Sequence, residues 1–225
     1  MQTNQANDAR IDLFIGSTGT GKSTSIKALI AEERPARILV WDYMHEEGYA
    51  KLGRPAVTGA ALLGALDAPA ARVAFRPDHD KPLDPQFALF CRAAFAYGDC
   101  VLIAEELSAV TKPSWAPNDW KKCLVMGRHR GLHVIGATQR PALVDKTIFS
   151  MATRVRCGRL LYDDDCKTMA KVLRCDAGEI AELPDGAYVE RWMRTGETVR
   201  GAISLRRRNV SRPKKPEISP EGPTA

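Results

Sequence analysis

The chain has 225 residues, 44% of them hydrophobic, which fits one globular domain with a sizeable core and excludes a disordered chain. No run approaches the ~18–20 apolar residues of a membrane span, and the polar stretch Met1 to Arg10 argues against a secretory leader. Six cysteines, 9 or more residues apart and without a Cys-x-x-Cys, argue against a zinc ribbon or disulfide scaffold and for reduced core thiols, while a net charge of +6 asks for an anionic partner only if it is concentrated.

Taken in chain order, Ile11 to Ile15 is a short apolar strand that ends at a Gly-rich turn. Ser23 to Glu33 has helical spacing and Pro35 stops it; Arg37 to Trp41 predicts a second strand, ending at Asp42. Ala60 to Leu66 reads as a short helix, Arg72 to Phe75 as a third strand and Pro85 to Tyr97 as a helix with an apolar face. Cys100 to Ala104 is a buried strand running into Glu105-Glu106. A helix is expected over Asp119 to Arg130 with Asp119 as its N-cap, then a strand over Leu132 to Ala137. Thr153 to Leu160 reads as the last core strand, and Asp163 to Arg174 as a helix whose three leading aspartates suit the helix dipole. Gly186 to Trp192 and Thr198 to Leu205 alternate as a terminal hairpin. The alternation of strands and helices predicts an α/β three-layer sandwich around a mostly parallel sheet. The expected organisation is a flexible start over 1–9, one domain over 10–205, and a basic, Pro-rich, disordered tail over 206–225.

The charge is not spread evenly. Residues 107–162 carry 10 basic groups against 2 acidic, and residues 198–216 carry 7 and none, while the rest of the chain is acidic. At least one of these blocks is expected to meet phosphates.

Gly16, Ser17, Thr18, Gly19, Thr20, Gly21, Lys22 and Ser23 fit G-x-x-x-x-G-K-[ST] in full, with a strand before and a helix after, and Thr24 continues the loop into the helix. Such a loop turns backbone N–H groups onto a phosphate; Lys22 reaches the β- and γ-phosphates of ATP and the Ser23 hydroxyl belongs on Mg²⁺. Val101-Leu-Ile-Ala delivers Glu105 to a strand end, where an acid binds Mg²⁺ through water, and Glu106 is placed to polarise an attacking water. The usual acid at the first position is Asp, so Glu105 is a departure with a longer reach. Gln139 at the tip of the next strand is positioned to sense the γ-phosphate.

The run Gly127-Arg128-His129-Arg130-Gly131-Leu132-His133-Val134-Ile135-Gly136-Ala137-Thr138-Gln139-Arg140-Pro141 resembles the HerA/FtsK superfamily of DNA-pumping ATPases. With the P-loop and the acidic strand end, the resemblance covers about residues 10–190 in order. Small size and the lack of an appended DNA-binding domain make the chain similar to the genome-packaging ATPases of membrane-containing icosahedral phages, the tectivirus type. The resemblance implies a P-loop NTPase fold of the additional-strand, RecA-like kind and ATP hydrolysis that drives double-stranded DNA into a preformed capsid. It also implies a homo-oligomeric ring, hexameric by expectation, working in the host cytoplasm or at a virion vertex with a capsid or membrane component as partner. By position, it implies Glu106 as catalytic base, Gln139 as sensor, and a trans arginine finger, for which Arg128 aligns best and Arg130 is second. Either arginine has a plainer reading as a helix C-terminal cation.

A pore-facing loop must grip DNA without reading bases. Lys112 and Trp115, in the Thr111–Pro117 segment just after the acidic strand end, offer a cation beside an aromatic, and Lys121 and Lys122 extend the positive run; the competing reading packs Trp115 and Trp120 into the core. Arg206, Arg207 and Arg208 head a basic arm for DNA or an anionic membrane surface. Arg154 and Arg156 share a strand face that either lines a channel or meets Asp163–Asp165. His129 and His133 lack the further ligands of a metal site. Two other functions are carried along: a small-molecule (nucleotide) kinase, and an ATP-gated DNA-binding assembly factor.

Overall fold

A computed structural model describes residues 8–205; the expectations placed on 1–7 and on the basic tail with Arg206, Arg207 and Arg208 lie outside the described residues. Strands β1 (Arg10–Ile15), β2 (Ile38–Trp41), β3 (Arg54–Ala56), β4 (Arg72–Phe75), β5 (Val101–Ala104), β6 (His133–Thr138) and β7 (Arg154–Cys157) are parallel wherever they pair. β8 (Ala187–Trp192) and β9 (Thr198–Ala202) continue the sheet antiparallel, as the expected hairpin. The order is β3-β4-β2-β5-β6-β1-β7-β8-β9, so β6 lies between the P-loop strand β1 and the acid-bearing strand β5. That inserted strand is the additional strand expected of the fold.

Side-chain alternation divides the core between two faces. Ile11, Leu13 and Ile15 of β1, with Leu39, Trp41, Val73, Phe75, Leu102, Val134 and Val155, bury one face under helices α3 (Gly59–Ala65), α4 (Leu83–Tyr97), α5 (Asn118–Met126), α6 (Thr147–Met151), α7 (Asp163–Leu173) and α8 (Ala177–Glu182). Phe14, Ile38, Val40, Ile103, Ile135 and Ala137 point the other way, against Ile26 and Ile30 of α1 (Lys22–Glu33) and Tyr49 of α2 (Glu47–Ala50). Helices thus cover both faces, the three-layer arrangement that buries parallel strands on both sides. Because the strands are parallel, the loops after β1, β2, β5, β6 and β7 all open at one end of the sheet, where ligands of open α/β sheets bind.

Four local expectations are corrected. Asp119 is not the N-cap of α5: the helix starts at Asn118 after Pro117, and the Asp119 carboxylate instead pairs with Arg92 of α4 at 2.9 Å. The helix also ends at Met126, and Gly127–Arg130 continue as a 3₁₀ turn closed by Gly131. The last core strand is shorter than expected, Arg154–Cys157; Gly158 makes a last backbone bond to the Ile15 carbonyl at 2.8 Å, close beside Thr20, and the chain then turns away. The β7 arginines do not meet Asp163–Asp165: Arg154 makes two hydrogen bonds to the buried Asp12 and Arg156 pairs with Glu190 at 2.6 Å, whereas Asp165 is taken by Arg140.

His133 belongs to the same buried ion network, its Nε2 2.9 Å from Asp12 Oδ2. Burial alone would raise the Asp12 pKa, but the hydrogen bond from His133 and the charge of Arg154 hold it below its ordinary value. The five buried cysteines and the half-buried Cys175 are all free thiols.

Candidate active site

The loop between β1 and α1 wraps around its own backbone. Gly19 and Gly21 have φ of 83° and 94°, left-handed values that side chains resist, and Gly21 is the N-cap of α1. No side chain caps that helix, so its first N–H groups are free for an anion. Lys22 donates to the Gly16 and Ser17 carbonyls at 2.6 and 3.2 Å. Burial pulls its ammonium below the ordinary lysine pKa, against the opposing pull of Glu106, Glu105 and Glu46. Thr20 is buried and bonds the Ser17 carbonyl, while Thr18, Gly19 and Thr24 face solvent.

Glu105 follows β5 and is buried. Its Oε1 accepts a short hydrogen bond from the Tyr49 hydroxyl and lies 3.4 Å from Ser23 Oγ. Desolvation, reinforced by the negative charge of Glu46, pushes its pKa from 4.5 up to about 7, although Tyr49, Lys22 and Lys27 pull the other way. Glu46 lies 3.2 Å from the same serine hydroxyl and is held by Lys27 at 2.9 Å. Two carboxylates and a hydroxyl, all hard oxygen donors, converge beside the P-loop lysine. That donor set suits Mg²⁺, whose charge would offset the buried Glu105 carboxylate and the half-buried Glu46 beside it. Among the described residues, no group of three or more His, Cys, Asp or Glu is placed to hold a metal ion.

Glu106 has a left-handed backbone, φ 47° and ψ 60°, a conformation of high cost for a glutamate and one that clusters at active sites. The turn throws its side chain away from that of Glu105. Its Oε1 accepts from Ser108 Oγ at 2.6 Å, Thr138 Oγ1 at 3.2 Å and the Gln139 backbone N–H at 3.4 Å. Gln139 in turn accepts from Thr18 Oγ1 at 2.8 Å through its side-chain oxygen. One hydrogen-bonded chain therefore links the P-loop, the tip of β6 and the second acid after β5.

The remaining sequence candidates lie elsewhere. Arg128 and Arg130 precede β6 and so sit at the opposite end of the sheet from the P-loop, about 20 Å away across six residues of strand. Arg130 donates to the Phe95 and Ala96 carbonyls at 3.0 and 2.7 Å, serving as a cation at the C-terminal end of α4. Arg128 is exposed and makes no ion pair among the described residues. Lys112 and Trp115 pair across a tight turn, with Lys112 exposed and Trp115 40% exposed. The two tryptophans therefore part company, since Trp120 is buried against Phe87. Lys122 is exposed over the Phe95 ring, and Lys121 is half-buried.

Glu46, Lys27 and Tyr49 were not among the sequence candidates. The available signal was position: acids directly after β2, whose end neighbours that of β5.

No family model matches the chain. Protein P9 of Pseudoalteromonas phage PM2 is 29% identical over 190 residues, which span 82% of this chain and 85% of that protein. The genome packaging NTPase B204 of Sulfolobus turreted icosahedral virus 2, solved with AMPPCP, superposes with a TM-score of 0.72 at 18% identity, covering 88% of this chain and 98% of that one. The bacterial conjugative coupling protein TrwBdeltaN70 superposes at 0.64 and 12% identity, covering 93% and 88%. The chain thus has the P-loop NTPase fold that the genome packaging NTPase B204 and the coupling protein TrwBdeltaN70 share.

Proposed function

We propose that the chain is an ATPase that moves double-stranded DNA, and that its task is to package a viral genome into a preformed capsid. The observation that carries this reading is the hydrogen-bonded chain Thr18–Gln139–Glu106, which joins P-loop, sensor and base at one end of the sheet. In this reading the backbone from Gly16 to Thr24 and the Lys22 ammonium hold the phosphates of ATP. Ser23 and Glu105 hold Mg²⁺, which when bound offsets phosphate charge as the γ-phosphoryl group leaves. Glu106, locked in orientation by Ser108 and Thr138, positions the lytic water and accepts its proton. Gln139 reports the presence of the γ-phosphate to Glu106 and Thr18.

Arg128 is the trans finger in this reading. Its own P-loop is at the far end of the sheet, so it serves a nucleotide held by the next copy in a ring, of six subunits by analogy. Arg130 is already engaged at the end of α4. The DNA contacts proposed are Lys112 and Trp115, on the loop that begins five residues after Glu106, with Lys121 and Lys122 behind them and Arg206, Arg207 and Arg208 beyond the described residues. No helix of the described residues is long and apolar enough to cross a membrane. A capsid or membrane component is proposed as a further partner, met in the host cytoplasm or at the virion vertex.

The test is phosphate release from ATP with and without duplex DNA. The expected result is a DNA-stimulated rate that falls with salt and is abolished by Lys22→Ala. Transfer of the phosphoryl group to a nucleotide would favour a kinase, and binding without turnover in saturating Mg²⁺ and DNA would favour an assembly factor.

A further inference from the structure

The turn after β2 carries groups that the nucleotide-site reading leaves unused. Asp42, buried at the end of β2, accepts from the Glu46 backbone N–H at 2.8 Å and is itself held by Arg76 at 3.0 Å. This anchors the turn so that Glu46 points its carboxylate at α1. Lys27, one turn into α1 from Ser23, lies over the Tyr49 ring at 4.5 Å and reaches Glu46 at 2.9 Å. It takes that path because residue 48 is glycine: a methyl group there would run into the Lys27 ammonium and sit 2.8 Å from its Cε. Tyr49 is fully buried, and its hydroxyl is spent on Glu105 Oε1, the same oxygen that faces Ser23.

We propose that this turn is a working wall of the divalent-cation site: Glu46 is a second carboxylate reaching the cation's coordination shell, and Tyr49 is the positioning residue that sets where the Glu105 carboxylate stands. The inference rests on the reading of Ser23 and Glu105 as the cation's holders. The chemistry follows from reach. A glutamate at the β5 end is one methylene longer than the usual aspartate and has one more torsion to fix. The Tyr49 hydroxyl removes that freedom by holding Oε1, the oxygen that also lies 3.4 Å from Ser23 Oγ, and so fixes the carboxylate beside the serine hydroxyl that Glu46 approaches to 3.2 Å. Lys27 prevents Glu46 from swinging into solvent without neutralising it fully, since half of the carboxylate remains for a second partner.

The test is Mn²⁺ binding to the full chain with a non-hydrolysable ATP analogue, read by electron paramagnetic resonance, alongside analogue binding in EDTA. Glu46→Gln should weaken Mn²⁺ about tenfold, and Tyr49→Phe, which keeps the ring and its packing, about three- to tenfold with an altered Mn²⁺ line shape. Analogue binding in EDTA should be unchanged in both. Gly48→Ala, which touches neither acid, should give a smaller loss by displacing Lys27. If Ser23→Ala and Glu105→Gln weaken Mn²⁺ while Glu46→Gln and Tyr49→Phe do not, the turn is only scaffolding and the inference is overturned. If none of the four changes Mn²⁺ binding, the cation reading itself fails.

Discussion

Replacing Glu105 with glutamine should stabilise the protein in the absence of cation and nucleotide. The carboxyl is buried and its pKa stands at about 7 against an ordinary 4.5. At ~1.4 kcal/mol per unit, its ionised form costs the folded state up to about 3 kcal/mol. The sign follows from linkage. With the folded pKa above the unfolded one, the folded state holds the proton more tightly, so stability falls as pH rises from about 4.5 through about 7. Glutamine has nearly the same shape, carries no charge and still offers an oxygen to the Tyr49 hydroxyl. For a chain of this size, about 3 kcal/mol corresponds to a rise in Tm of roughly 6–12 °C at pH 8. At pH 5 the advantage should shrink to under about 1 kcal/mol. Thermal denaturation in EDTA at both pH values measures this directly. A Glu105→Gln protein no more stable than wild type at pH 8, or equally advantaged at pH 5, would refute the argument that Glu105 is a strained buried acid.

Glu106→Gln should lower ATP turnover by about 10²–10⁴-fold with nucleotide affinity intact, because the amide keeps the contacts to Ser108 and Thr138 but cannot accept a proton; single-turnover phosphate release checks it. Arg128→Ala subunits, mixed with wild type, should poison turnover at neighbouring sites and leave analogue binding unaffected, which a titration of mutant into wild type would reveal. Arg154→Met leaves Asp12 buried with only His133 to face it and should cost about 3–5 kcal/mol in urea denaturation. Deleting residues from Arg206 onward should flatten the salt dependence of DNA binding and spare the basal ATPase rate, as measured by binding at several salt concentrations.

The parts of this protein that were legible in the sequence are those whose chemistry is local. The P-loop announces itself because glycine, lysine and serine must stand at fixed spacing between a strand and a helix. β5 and β6 were legible because each is a short apolar run ending in polar residues of a kind that strand ends present to ligands. What was not legible depends on which strands are neighbours. Tyr49 sits in a four-residue helix, with Glu46 just before its first residue, ahead of a three-residue edge strand, Arg54–Ala56, with a proline in it, all too short for any periodicity. Their importance arises because β2 pairs with β5, 63 residues later in the chain by register. Arg154 and Arg156 were misread for the same reason: alternation places them on one face, but only sheet order brings Asp12 and Glu190 beneath them. Asp119 looked like an N-cap by residue type, yet tertiary pairing with Arg92 outweighed the local bond.

A chain driven along duplex DNA by ATP strips a triplex-forming strand from a linear duplex in its path. Release of the third strand should require ATP, increase with the length of duplex available for loading, and disappear with Lys22→Ala and Glu106→Gln. ATP hydrolysis at full rate with the third strand left in place would contradict that movement.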